Sequence, residues 1–343
     1  MTQSPGLPAA RGEVSELLLN TLQRSPRQLD AIDLPEAGDP LVDEDMQLAL
    51  YCCYELHYRG LAGVDEAWEW SPSLLELRGR LEELFLAQLI ELVGTPEPCR
   101  GEDWAEMDLA LRAIADSDDS PSLSHHLQRE GSADQFREFL MHRSAYQLKE
   151  ADPHSWALPR LSGRPKGALV EIQADEYGGG RAERIHARLF ADAMDAFGLD
   201  SRYGAYVERL PASTLATVNL MSFFGLHRRW RGAIIGHLAL FEMTSSVPNR
   251  RYGDAARRLG PDDPRATAFF DEHVEADAVH ESVAAVDLAG GLARDEPHVA
   301  GDILFGARAL IALEGRWASM LLKAWTLEST ALIPLVVTEG VRA

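Results

Sequence analysis

Residues 269–281 read FFDEHVEADAVHE. Wound as an α-helix, at about 100° per residue, this stretch brings His273, Asp277 and His280 onto one narrow stripe, at i, i+4 and i+7. Phe269, Phe270, Ala276, Ala284 and Leu288 flank the stripe, while Asp271, Glu275 and Ser282 fall on the opposite face. The pattern predicts three ionisable side chains pointing into the interior and ordinary charges pointing to water. Buried imidazoles and carboxylates without partners are costly. Either an internal hydrogen-bonded His–Asp–His cluster or a metal ion must compensate them, and three groups in register favour the metal.

The same period of three and four runs outward from this stretch. Helices are predicted over 132–151, 164–177, 181–197, 207–226, 230–246, 265–289 and 301–328. Asp152-Pro153, Gly178-Gly179-Gly180, Gly198, Pro248-Asn249, Pro261 and Gly290-Gly291 are the expected breaks. Upstream, a short helix is expected over 14–23, another from Asp43, and a third from Ser71-Pro72 to a glycine stop. Weaker ones fall near 101–117 and 120–129. Period-two runs of β-branched residues and Asn-Gly or Asp-Gly hairpin signals are almost absent. An all-α fold follows, with a soft boundary near 118–132.

A metal needs ligands from other helices, and four segments offer them. Glu183 and His186 form an E-x-x-H pair, the i, i+3 arrangement that two-metal carboxylate bundles use. Glu176 stands just before the three glycines. Glu150 closes the 132–151 segment, and Glu242 shares a face with Ile235, Leu238 and Ala239. Three histidines with three or four carboxylates suit two irons that keep positions open to oxygen. Zinc would be satisfied with four ligands, and calcium or magnesium would not call for three histidines.

Composition narrows the field of functions. The 343 residues are 46% hydrophobic and 25% charged, with a formal net charge of −21. So acidic a chain offers no large basic surface for nucleic acid or for an anionic membrane. Three cysteines, Cys52, Cys53 and Cys99, with no CxxC, argue against a disulfide framework and against thiolate zinc or iron–sulfur sites. The opening MTQSPGLPAARGE lacks an apolar core and the longest apolar runs are too short to span a bilayer, so a cytoplasmic protein is expected. Glu55 and His57, two apart, cannot face one way on a helix. His142 and His154 are expected at the surface or as caps. The arginines of 227–231, with Arg250, Arg251, Arg257 and Arg258, are expected mainly to balance the acidic chain. Tyr146 is expected to stand beside Glu150 or simply to fill space.

These residues resemble the haem-oxygenase-like diiron oxidases and oxygenases, a family of iron-containing redox enzymes. The resemblance covers roughly 130–325 and rests on H273-x-x-x-D277-x-x-H280, on His186 about ninety residues upstream, and on Glu150 and Glu242. It implies a haem-oxygenase-like helical bundle over 131–328. Before it would lie a mostly irregular arm over 1–40 and an N-terminal helical extension over 41–130, and after it a tail over 329–343. It also implies two iron ions, ferrous before they meet dioxygen, held by Glu150, His186, Glu242, His273, Asp277 and His280 with either Glu176 or Glu183. Dioxygen would be the co-substrate and a small amino-acid-like or fatty-acid-like molecule the substrate, through N-oxygenation, oxidative C–C cleavage or desaturation. The substrate is expected above the metals, between the 132–151 and 207–226 helices. No nucleic acid or membrane partner is expected, while an external electron donor and a homodimer are both compatible with the resemblance. The other readings are a non-catalytic protein in which the cluster is structural, and haem binding, which would crowd several acids against the macrocycle.

Overall fold

The computed structural model describes residues 4–34, 38–97 and 106–334, with the side chains of 275–279 outside that description. Among the described residues it is all helix and turn. In chain order the helices are α1 (Glu13–Leu22), α2 (Glu44–Glu55), α3 (Pro72–Val93), α4 (Met107–Asp116), α5 (Leu123–Arg129), α6 (Ala133–Gln147) and α7 (Asp152–Ser155). Then come α8 (Gly163–Glu176), α9 (His186–Ala196), α10 (Ala212–Leu226), α11 (Arg231–Leu259), α12 (Arg265–Ser282), α13 (Gly290–Asp295) and α14 (Ala300–Thr326). No helix among the described residues is long and apolar enough to cross a membrane.

Local chemistry starts several of these helices. Asp43 and Ser122 accept hydrogen bonds from the open backbone N–H groups of α2 and α5. Ser132 and Gln135 form a reciprocal capping box at the start of α6. Ser71-Pro72 opens α3 as expected, because proline has no N–H to leave unpaired in a first turn.

The long helix α11 is the spine, packed along α14 on one side and α12 on the other. Its contact with α14 is backbone on backbone. A Cβ added to Gly236 would stand 1.8 Å from the Ile303 carbonyl oxygen, and one added to Gly306 would stand 1.9 Å from that of Ala233. Only glycine at both crossing points permits this approach. The N-terminal helices join the same interior: Leu18, Leu50, Phe85, Phe223 and Phe305 are buried in one continuous cluster. A second cluster, rich in aromatic rings, collects Phe136, Phe139, Phe190, Phe269, Phe270 and Trp317 from α6, α9, α12 and α14.

Two predicted breaks do not occur, and two helices begin later than expected. The helix expected to stop at Pro248-Asn249 runs on to Leu259 with Pro248 inside it. Proline there forfeits one bond, to the Thr244 carbonyl, but Tyr252, Ala255 and Ala256 are buried beyond it, and that burial favours continuation. The helix expected over 265–289 changes at Val283 into a π-helical turn (Val283–Ala289) and passes through Gly290-Gly291, which are buried as part of α13. The π turn packs on α8 and α11, so tertiary packing sets its register. Finally, the helices expected over 181–197 and 207–226 begin later, at His186 and Ala212, each after a separate 3₁₀ turn.

Candidate metal centre

The side chains in question come from five places. Glu150 sits in the turn between α6 and α7, Glu176 is the last residue of α8, and His186 is the first of α9. Glu242 lies on α11, and His273 and His280 lie on α12. All six are buried. They form two groups: ligand-capable atoms of Glu150, Glu176, His186 and His273 lie within 4.8 Å of one another, as do those of Glu176, Glu242 and His280. Glu176 belongs to both.

The contacts within the groups are close but poorly satisfied. His186 Nδ1 is 2.9 Å from Glu176 Oε2 and 4.0 Å from Glu150 Oε2, and His273 Nε2 is 3.3 Å from Glu150 Oε1. His280 Nδ1 is 3.4 Å from Glu242 Oε2. Yet Glu150 Oε2, Glu176 Oε2, His186 Nδ1 and His280 Nδ1 are buried without a hydrogen-bond partner. Four orphaned polar atoms in one buried pocket are costly on their own and are what a bound cation would satisfy. The residues present therefore fit a metal centre.

Two histidines are held so that one ring nitrogen faces the cluster and the other is tied outside it. His273 Nδ1 donates to the Phe269 carbonyl at 2.8 Å, leaving Nε2 toward Glu150. His280 Nε2 donates to the Asp175 carboxylate at 2.9 Å, leaving Nδ1 toward Glu242. Outer hydrogen bonds of this kind fix tautomer and ring orientation in metal sites.

Burial and crowding shift the protonation of these groups. Burial pushes the Glu176 carboxyl up to about 7, with the Glu242 charge adding to it and the nearby histidines opposing. Burial raises Glu150 too, again against His273. His186 falls to about 4 through burial and the His273 charge. Burial pulls His280 down as well, but the nearby Glu242 carboxylate, the Asp175 hydrogen bond and the Glu176 charge lift it to about 9. Tyr146 rises well above its usual range because burial and the charges of Glu150, Glu176 and Glu242 disfavour the phenolate. Perturbation of so many groups in one pocket is characteristic of a functional site.

Glu183 is placed elsewhere. It is exposed, on the 3₁₀ turn Ala182–Arg184, and is not brought into either group. The E-x-x-H pair fails because no continuous helix joins its members. Gly178, Gly179 and Gly180 adopt positive φ values of 69°, 60° and 80° and fold the chain back on itself. A Cβ at Gly178 would come within 2.6 Å of the Arg184 backbone. This reversal sets His186, not Glu183, against Glu176. Asp277 lies on α12, but its side chain is outside the described residues.

Two other histidines lie where the sequence does not lead one to expect them. His142, expected at the surface, is buried with Nδ1 2.7 Å from Thr214 Oγ1. His154, likewise expected outside, is buried with Nε2 3.2 Å from His237 Nδ1, and it borders the space around Glu150 and Glu176. Both imidazoles of that pair are held neutral by burial, His154 at about 4 and His237 well below its usual value. Asp175 escapes sequence reasoning because an exposed acid beside an inward one carries no pattern of its own. The arginines behave largely as expected: Arg231 pairs with Glu296, Arg257 with Asp271, and Arg258 caps carbonyls of the α5 end.

A cavity of about 260 Å³ adjoins the centre. Phe241 and Ser245 border both this cavity and the narrow space among the ligands. Its walls come from α4, α5, α6, α9, α11, α12 and α14, with Phe139, Phe190, Phe269 and Trp317 among them. The 207–226 segment does not border this cavity: α10 is packed into the core against α2 and α14. At one side of the cavity Arg143 forms a two-pronged ion pair with Glu314, at 2.9 and 2.7 Å, and stacks over Trp317.

A family model for iron-containing redox enzymes matches residues 137–315, just over half of the chain and the part that carries every residue of both groups. The chain belongs to that family, and its all-α architecture is haem-oxygenase-like. No curated protein matches the chain. The protein is thus an iron-containing redox enzyme in class, an oxidoreductase with a buried His/Glu cluster that could bind metal.

Proposed function

We propose that the chain is a non-haem diiron oxidoreductase that uses dioxygen to oxidise a small amino-acid-like or fatty-acid-like substrate. The observation that carries this reading is the sharing of Glu176 between two adjacent buried groups. A carboxylate has two oxygens, so one side chain can serve two cations at once. His186 and His273 with Glu150 would complete one position, and His280 with Glu242 the other. The resemblance adds Asp277, one turn beyond His273. Four carboxylates would then balance the four positive charges of two ferrous ions, which makes such a pair tolerable away from water.

Iron held there supplies the electron transfer to dioxygen that protein side chains cannot provide. The chain's own residues do the rest. His273 and His280 turn an inner ring nitrogen toward the groups because Phe269 and Asp175 hold their outer N–H groups. Tyr146 keeps its phenolic proton against three carboxylates. Phe241, Phe269 and the neighbouring aromatic rings line the approach. A two-electron oxidation of substrate leaves two of the four electrons that reduce dioxygen to water for an external donor to supply.

The cavity chemistry bears on the choice of substrate. Arg143 is already neutralised by Glu314, so a lone fatty-acid carboxylate would leave an uncompensated negative charge beside Glu314. An amino acid carries both signs and can meet both partners, which favours the N-oxygenation or C–C cleavage of amino-acid-like molecules. The test is oxygen consumption by the anaerobically iron-loaded protein against a panel of amino acids and medium-chain fatty acids. Uptake stimulated by one class supports the reading. Iron binding with no oxygen uptake would favour a structural cluster, and a Soret band after haem addition would favour haem binding.

A further inference from the structure

We infer that Asp175 is a positioning residue that sets the strength of one metal position, that of Glu176, Glu242 and His280, and leaves the other to fill without it. This rests on the two-position reading above. The histidines of the two groups are anchored differently. His273 is tied to a backbone carbonyl of its own helix, one turn back, and this anchor exists wherever the helix does. Among the described residues His280 has no such anchor. Its Nε2 is held by the Asp175 carboxylate, whose side chain is 61% exposed at the rim of the site.

Asp175 and Glu176 are consecutive on α8, so their side chains leave the helix about 100° apart. Glu176 turns inward to both groups while Asp175 meets His280 from outside. The ring of His280 is thereby clamped between an outer carboxylate at 2.9 Å and the inner Glu242 at 3.4 Å. With a hydrogen fixed on Nε2, Nδ1 is the nitrogen left for a cation, which takes the place of any proton there. Without Asp175, the ring is free to place its hydrogen on Nδ1 and donate it to Glu242. That internal bond would consume a nitrogen and an oxygen of the same three-residue group. The carboxylate also adds electron density to the imidazole, which strengthens it as a ligand. Among the described contacts Asp175 reaches the other group only through the charge it sets beside its chain neighbour Glu176, while Glu150 and His186 meet other partners.

The test is a titration of the metal-free full chain with Zn(II), read by calorimetry and by metal content after desalting. Wild type is compared with Asp175→Ala, Asp175→Asn and Asp175→Glu. Wild type is expected to take two ions. In Asp175→Ala the first ion should bind as in wild type and the second about 10- to 100-fold more weakly. Asp175→Asn keeps an acceptor but loses the charge and should fall between, and Asp175→Glu should restore part of the loss. A merely structural role would weaken both ions together and lower the melting temperature of the metal-free protein, and that result overturns the proposal. So does an Asp175→Ala variant that binds both ions at wild-type strength. If wild type itself takes fewer than two ions, the two-position reading falls and the proposal falls with it.

Discussion

Replacing Glu176 with glutamine should stabilise the metal-free protein and remove its response to metal. Glu176 is buried, and burial holds its carboxyl at about 7, above the ordinary 4.5. A carboxyl raised in this way contributes stability that is fully present below 4.5 and is lost as pH rises through 7. Each pH interval of one between those two values is worth about 1.4 kcal/mol, so at pH 8 the ionised Glu176 costs the metal-free fold about 3 kcal/mol. Glutamine keeps the shape and removes the charge. Glu176→Gln should therefore melt roughly 4 °C higher than wild type at pH 8 without metal, given the unfolding entropy expected for a chain of this size. Below pH 4.5 the difference should vanish. With a divalent ion at about a hundred times its dissociation constant, wild type gains about 2.7 kcal/mol for each position filled. The variant, deprived of the carboxylate both positions share, should gain almost nothing. Thermal unfolding with and without Mn(II) at pH 8 and pH 4.5 reads all four values. If the variant is less stable than wild type without metal, or keeps the wild-type response to metal, Glu176 is a structural residue and the reasoning is wrong.

Glu183→Ala should leave both metal content and melting temperature unchanged, since Glu183 is exposed and outside both groups; a loss of bound metal would contradict the placement of His186. Gly236→Ala should cost about 3 kcal/mol or more in denaturant unfolding, because its Cβ would overlap the Ile303 carbonyl and force α11 from α14; wild-type stability would refute the close crossing. The neutral His154 has a value near 4, below the ordinary 6.5, so its contribution is present above 6.5 and lost as pH falls toward 4, amounting to about 3 kcal/mol. Urea unfolding of the metal-free protein between pH 7 and 4 should therefore weaken less steeply in His154→Gln than in wild type, and equal slopes would contradict the buried His154–His237 pair.

Much of the centre is legible in the sequence because helical periodicity reports direction. His273 and His280 lie on the inward stripe that the spacing of four and three implies, and Glu150 and Glu242 turn inward where the apolar faces place them. What spacing does not convey is where the backbone leaves the helix. Glu183 and His186 look like one turn of one face, but three left-handed glycines and a 3₁₀ turn separate them from α8, and Glu176 takes the place beside His186. Pro248 and Gly290-Gly291 read as breaks by local propensity and are overridden by burial against neighbouring helices. His142 and His154 read as surface residues because a lone histidine gives no sign of the Thr214 or His237 that satisfies it from a distant segment. Asp175 is the sharpest case: its role exists only through a side chain 105 residues away.

The most direct measurement is X-ray absorption at the iron edge on protein loaded anaerobically with ferrous ion and desalted. Two neighbouring cations bridged by Glu176 predict two irons per chain and an iron–iron scattering shell near the ~3.5–4 Å typical of two-metal sites. One iron per chain with no such shell, or none retained, would contradict the shared-carboxylate centre.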